Sequence, residues 1–236
     1  MATFSEETQE LRCKLAYACR ILAAHGHNDT IYGHVIYRQP GADTFWMKPA
    51  AMGLDEMTPE TVIRLDLDGQ VVEGDLPRHV EFPIHSEIFR ARSAVTCVIH
   101  THPLYSIAFA ATNQPLRAVS HEGAQFTPPD VPRFIQTADL IVTRALGEAV
   151  AVTLGDSLTC YLRNHGIVVA ATTIEEAVVA AINLERASQA QLLASLSGQP
   201  FSSPSDEELL VKRSKIYSAQ NLQNVWNYYC RTLGPL

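Results

Sequence analysis

VTCVIHTH, residues 95–102, is a run of β-branched and apolar residues that closes on two histidines separated by one threonine. The composition reads as a buried strand, and Pro103 directly after it opens a helix at the one position that tolerates proline. Residues two apart on a strand face the same side, so His100 and His102 project together, about 6 to 7 Å apart along the chain. That separation suits two ligands of one divalent ion. A third nitrogen is available from Asn164-His165-Gly166, where a histidine sits at a tight turn inside the strand–turn–strand pattern TCYLRNHGIVVAA at 159–171. Three histidines with a position left open is the pattern of a catalytic metal site, whereas closed four-ligand sites are structural. Taken alone, the H-x-H spacing equally fits two hydrogen-bonded core histidines. Glu81 and His85 lie four apart in EFPIH, on one face if that segment is helical. A carboxylate there could move protons near a metal, or simply form a surface pair with its neighbour.

Working outward, the spacing of Leu11, Leu15, Cys19 and Leu22 predicts an amphipathic helix over 6–25, stopped by Gly26. Residues 33–47 read as a strand pair around the turn signal QPGAD, and 61–72 as a second hairpin around Asp68-Gly69. Helices are expected over 81–92, 103–112 and 139–151, the last after a proline-rich loop (TPPDVP). A long alanine-rich helix spans 173–197 and a closing helix 206–230. There is no repeat, no low-complexity tract and no linker long enough to divide the chain. Hairpins dominate the first half, so the expected architecture is one α/β domain over 1–236 with a mostly antiparallel central sheet.

The 236 residues carry 25 acidic and 18 basic side chains, a formal charge of −7, which argues against a surface built for nucleic acid or an anionic membrane. No apolar run approaches the roughly 20 residues a membrane span needs. The opening MATFSEETQELR lacks the basic start and apolar stretch of a signal peptide. Five cysteines, odd in number and scattered, fit inert buried thiols in a reducing compartment, so a cytoplasmic location is expected.

Glu81-x3-His85, His100-Thr-His102 and Asn164-His165-Gly166, in this order, resemble the acidic residue and three metal histidines of the class II aldolase/adducin family. The resemblance extends from the first helix and GHVIYR (33–38), through DLDGQVVEG (66–74), to the closing helix. It implies a three-layer α-β-α fold and one divalent ion per subunit (Zn, Mn, Fe or Co) on His100, His102 and His165. It also implies a homotetramer with sites between neighbouring subunits and a small-molecule substrate. The family contains sugar-phosphate aldolases and epimerases, a dehydratase, decarboxylases of hydroxylated aromatic dicarboxylates, and adducin, which has no activity. Adducin-like members lack the metal histidines that this chain keeps.

The choice among activities rests on departures. Phosphate-binding members carry G-N-x-S-x-R, a T-G or S-G turn, and a serine pair before the acidic residue. Here the first reads GHVIYR, with His34 and Ile36. The second reads KPAAMG from Lys48, and the third PRHVE, with Arg78 and His79. Most hydroxyls of a phosphate cradle are gone, and what replaces them can carry positive charge; an arginine fork matches a planar carboxylate. The run from Pro77 through Glu81 and His85 to Ile88, and His121 to Phe126 (HEGAQF), look like the decarboxylases. The expected activity is therefore metal-dependent decarboxylation of a hydroxylated aromatic (di)carboxylate. Arg78, His79, His34, Lys48 and His85 would face the substrate, and Glu81, or His121 reaching across a subunit boundary, would protonate the vacated carbon. The alternative is an aldolase or epimerase acting on a sugar phosphate with the same metal set, and the third option a non-catalytic adducin-like module.

Overall fold

The histidine-tipped strand is β5 (Cys97–Thr101), buried along its whole length. In the computed structural model, which describes residues 6–236, it lies inside one eight-stranded sheet. β1 (His34–Tyr37), β2 (Thr44–Met47), β3 (Ile63–Asp66) and β4 (Val71–Glu73) extend to one side. β8 (Gly166–Ala171), β7 (Thr159–Leu162) and β6 (Arg133–Phe134) extend to the other, in the order β4-β3-β2-β1-β5-β8-β7-β6. The hairpins read from the sequence are present, and neighbours pair antiparallel throughout, save one. β6 runs parallel to β7, so the sheet is mixed rather than purely antiparallel. This two-residue strand directly follows the proline-rich loop TPPDVP, in a stretch to which the sequence assigns no element. It is recruited by Tyr161 and Arg163, whose amides donate to the carbonyls of Pro132 and Phe134.

Strand alternation assigns the two faces. Cys97 and Ile99 of β5, with Val35, Ile167 and Val169, pack under α1 (Glu6–Leu22), α3 (Leu104–Ala110), α5 (Ile174–Ser195) and α7 (Ala219–Leu233). Val98, with Ile36, Val168 and Ala170, packs under α2 (Pro83–Ala91) and α4 (Arg144–Leu154). Helices thus cover both faces, and the sheet is the middle of three layers. His100 shares the parity of Val98 and so turns toward α2.

Three boundaries differ from expectation. α2 begins at Pro83, which leaves Glu81 in the turn before it. α4 begins at Arg144, not 139, because Thr143 accepts the Leu146 amide and caps the helix there. The closing helix is two: α6 (Asp206–Ile216) ends at Tyr217, and Ser218 caps α7 by accepting from Asn221 N. No helix among the described residues is long and apolar enough to cross a membrane. Residues 1–5 of the stretch read as unlike a signal peptide lie outside the described residues.

Candidate active site

Antiparallel register sets His34 of β1 directly opposite His100 of β5. Both turn toward the start of α2, where Glu81 and His85 wait. On the far flank, the turn between β7 and β8, with Asn164 at φ +59°, carries His165 to the same place. Gly166 permits the approach: a Cβ there would stand 2.5 Å from the Thr101 carbonyl and 2.8 Å from Cδ2 of His102. The His100 ring is centred 4.8 Å from that of His102 and 4.9 Å from that of His165.

Hydrogen bonds at the outer nitrogens settle how two of these rings present themselves. His100 donates from Nδ1 to the Ile167 carbonyl at 2.9 Å, and His102 from Nδ1 to Oδ2 of Asp29 at 2.9 Å. In its neutral form each ring then keeps a bare lone pair on Nε2. Those two Nε2 atoms lie 3.1 Å apart, so in the neutral forms two lone pairs face one another. His165 Nε2 lies 3.6 Å from Oε1 of Glu81, and His100 Nε2 lies 3.7 Å from Oε2. One ligand atom from each of His100, His102 and His165 falls within 4.8 Å of the others, as do those of His34, Glu81 and His100. Converging lone pairs beside a carboxylate fit a divalent cation.

Burial keeps the set receptive. Desolvation, reinforced by His102 and His165, holds His100 well below the ordinary histidine value, and His165 is lowered to about 4, chiefly by burial. Burial also raises Glu81 above the usual carboxylate value, against a bond it accepts from the Ile141 amide at 2.8 Å. Glu81 is therefore anchored by the loop before α4, not by its own helix.

The remaining candidates divide. His34 and His85 are fully buried and joined Nδ1 to Nε2 at 2.5 Å, and both are held well below the ordinary value by burial, so both rings are neutral. The His79 ring lies tilted against that of His34, 4.5 Å between centroids, and burial with the nearby Lys48 lowers it to about 3. Lys48 does not point a free ammonium at the site. It is completely buried, and its three N–H groups meet the carbonyls of Ile31 and Pro49 and Nε2 of His79. Arg78 lies over the Phe82 ring, 4.2 Å from its centroid, and donates to the His79 carbonyl. His121 lines a separate cleft with Asn183, Arg186 and Tyr229, and its carbonyl accepts from Tyr217 Oη. Within one chain it does not join the cluster. Two contributors escape sequence reasoning, Asp29 and the Ile141 amide. They meet their partners across 73 and 60 residues, with no spacing signal.

Residues 13–192 match the family described as class II aldolase and adducin N-terminal domain. The chain belongs to that family. Among its relatives, the decarboxylase NovR of Streptomyces niveus is 32% identical over 215 residues, covering 89% of this chain and 79% of NovR. The 3,4-dihydroxyphthalate decarboxylase of Arthrobacter keyseri is 26% identical over 226 residues, covering 91% and 90%. The solved L-fuculose 1-phosphate aldolase of Glaciozyma antarctica superposes with a TM-score of 0.84 at 28% identity, over 99% of this chain and 93% of that one. This class II aldolase/adducin chain thus has the α/β fold of its family, and both carbon–carbon lyase types stand among its relatives.

Proposed function

We propose that the chain is a divalent-metal-dependent decarboxylase of a hydroxylated aromatic (di)carboxylate. The observation that carries this is the wall beside the metal ligands: His34, backed by the buried His85, and His79 are neutral imidazoles, a hydrogen-bonding but largely uncharged surface. Val80, Leu104 and Leu140, which flank Glu81, His102 and Ile141 in the chain, are large apolar side chains left exposed. A planar, partly apolar aromatic ring suits such surroundings better than a sugar phosphate does. The decarboxylases among the relatives support the same reading. His100, His102 and His165, with Glu81 beside them, would hold the ion. Bound there, it supplies Lewis-acid stabilisation of charge that develops on the substrate.

The chain's own residues do the rest. His34 and His79 hold a carboxylate oxygen, and Lys48, its donors spent on two carbonyls and His79, fixes the His79 ring. When the carbon–carbon bond breaks, carbon dioxide leaves and the electron pair stays on the ring carbon. Glu81 delivers a proton to the same carbon and is reprotonated from solvent. The Ile141 amide holds its Oε1 while this happens.

The aldolase reading rests on the close superposition with the fuculose-phosphate enzyme and requires phosphate to be gripped. Release of carbon dioxide from dihydroxyphthalates, set against cleavage of ketose 1-phosphates, separates the two. Inhibition by phthalate and by inorganic phosphate at fixed ionic strength is the second measurement. Tight phosphate inhibition with no effect of phthalate favours the aldolase. Glu81→Gln should keep its metal while kcat falls by about two to four orders of magnitude, the scale of lost acid–base assistance.

A further inference from the structure

His34 and His85 form a pair whose proton arrangement can be worked out. One proton lies between His34 Nδ1 and His85 Nε2, and each neutral ring carries one proton in all. Suppose His34 donates from Nδ1. Then His85 accepts at Nε2, and its own proton must sit on Nδ1, an atom that is buried and has no partner. That leaves an orphaned N–H, a rarity in folded proteins. Suppose instead that His85 donates from Nε2. Its partnerless Nδ1 is then only a bare lone pair, the lesser cost, and the proton of His34 is forced onto its own Nε2.

The two arrangements give His34 opposite roles. With its proton on Nδ1, His34 offers a bare Nε2 and can ligate a cation with Glu81 and His100, whose ligand atoms lie within 4.8 Å of its own. With its proton on Nε2, it offers a donor and is barred from that role. Among the described residues no protein group accepts from His34 Nε2, and the atom is not one of those sealed in the interior without a partner. A donor so placed is open to an oxygen of a bound molecule.

We propose that His85 is a positioning residue: donating from Nε2 to Nδ1 of His34, it locks His34 as an Nε2–H donor to a carboxylate oxygen of the substrate and keeps this imidazole out of the metal's ligand set. The carboxylate part of this inference rests on the proposed function, while the tautomer does not. His85 itself, fully buried behind His34, touches no substrate.

The test uses the ¹⁵N-labelled, zinc-loaded protein and long-range ¹H–¹⁵N spectra of its imidazoles, with phthalate as the probe acid. His34 and His85 are both expected to be protonated at Nε2 and bare at Nδ1. A His34 ring protonated at Nδ1 in the unmutated protein overturns the proposal, and this reading needs no variant to fold. In His85→Gln the side-chain amide takes the place of Nε2 as donor, so the His34 tautomer and most of the phthalate inhibition should persist. In His85→Leu the lock is gone: His34 should populate the other tautomer, and phthalate inhibition should weaken by about ten- to a hundredfold with zinc still bound, the loss expected for a hydrogen bond to a charged group. Equal inhibition of the Gln and Leu variants also overturns the proposal. Should both rings carry Nε2–H while phthalate has no effect, the lock stands and the carboxylate reading of the site falls. Should phthalate inhibit while His34 carries its proton on Nδ1, the lock falls and the carboxylate reading stands.

Discussion

Gly166 is the position where one methyl group would do the most harm to the site. Its φ is ordinary, so the constraint is space: a Cβ would press on the Thr101 backbone carbonyl at 2.5 Å, on His102 Cδ2 at 2.8 Å and on His100 Cε1 at 3.3 Å. The carbonyl cannot yield without parting β8 from β5, so the imidazoles must turn. Overpacking of this kind costs about 1–3 kcal/mol, and here it falls on two of the metal-facing rings. Gly166→Ala should weaken zinc binding about tenfold or more while far-UV circular dichroism stays unchanged; wild-type affinity would show that the turn can absorb the methyl. Asp29 acts from the other side. Its carboxylate takes the Nδ1 proton of His102 at 2.9 Å, which fixes the ring and aims Nε2 inward. Partners of this kind are worth about 10- to 100-fold in metal affinity. Asp29→Asn should therefore lower zinc affinity by that factor, read by competition with a chelator, and an unchanged affinity would make the pair incidental. The histidines were legible in the sequence because same-face spacing on a strand is a one-dimensional signal. Asp29 was not, because the contact that gives it meaning exists only after β5 has met the loop before β1.

Helix α2 delivers His85, with Glu81 in the turn that leads into it, and its placement depends on α4. Gly147 of α4 sits so close that a Cβ would lie 2.4 Å from the Pro83 carbonyl oxygen and 3.0 Å from Cγ of Glu87. In a free helix Gly→Ala stabilises by about 1 kcal/mol. Here the obstacle is backbone at the first turn of α2, and overpacking costs about 1–3 kcal/mol, so the sign should reverse. Gly147→Ala should lower the urea midpoint and also turnover, since α2 cannot shift without moving Glu81; a stabilised variant would mean the helices separate freely. The sequence pattern supplied both helices and the strand between them, since apolar periodicity needs no partner to be read. It placed the start of α4 five residues early because Asp139–Val142 continue the apolar pattern. What stops the helix is Thr143, whose hydroxyl caps it, and what ties down the segment before it is Glu81, which accepts the Ile141 amide. The break between α6 and α7 was likewise invisible: Ser218 is a competent cap, but nothing in the chain marks it as used until Tyr217 reaches the His121 carbonyl.

Across the whole molecule, the sheet separates two apolar layers, and neutral imidazoles are buried on both sides of it. His27 lies on the α1 side, bonded to Thr101 Oγ1 at 2.9 Å; burial lowers it to about 3. His34, His85 and His100 lie on the α2 side, each held well below the ordinary value, with burial the largest cause. An unfolded histidine takes up its proton near pH 6.5. Between that value and the lowered folded values, the unfolded chain binds more protons than the native one, so stability falls as pH drops. The slope is about 1.4 kcal/mol per pH unit for each such histidine. Glu81, raised by burial, works in the opposite sense, but it is one group against these four and against His79 and His165, which burial also lowers. The metal-free protein should therefore lose urea resistance steadily from pH 7 to 5, and the loaded protein more steeply, because its ligands must be unprotonated to bind. His27 isolates the effect, being bonded to Thr101 and not to the site. His27→Asn keeps a donor near Thr101 Oγ1 but cannot titrate, so between pH 6 and 5 its unfolding free energy should fall less than that of the wild type, by about 1.4 kcal/mol per pH unit. Parallel profiles for the two proteins would mean that His27 is protonated in the native state, and that the interior behind the site is wetter than its packing implies.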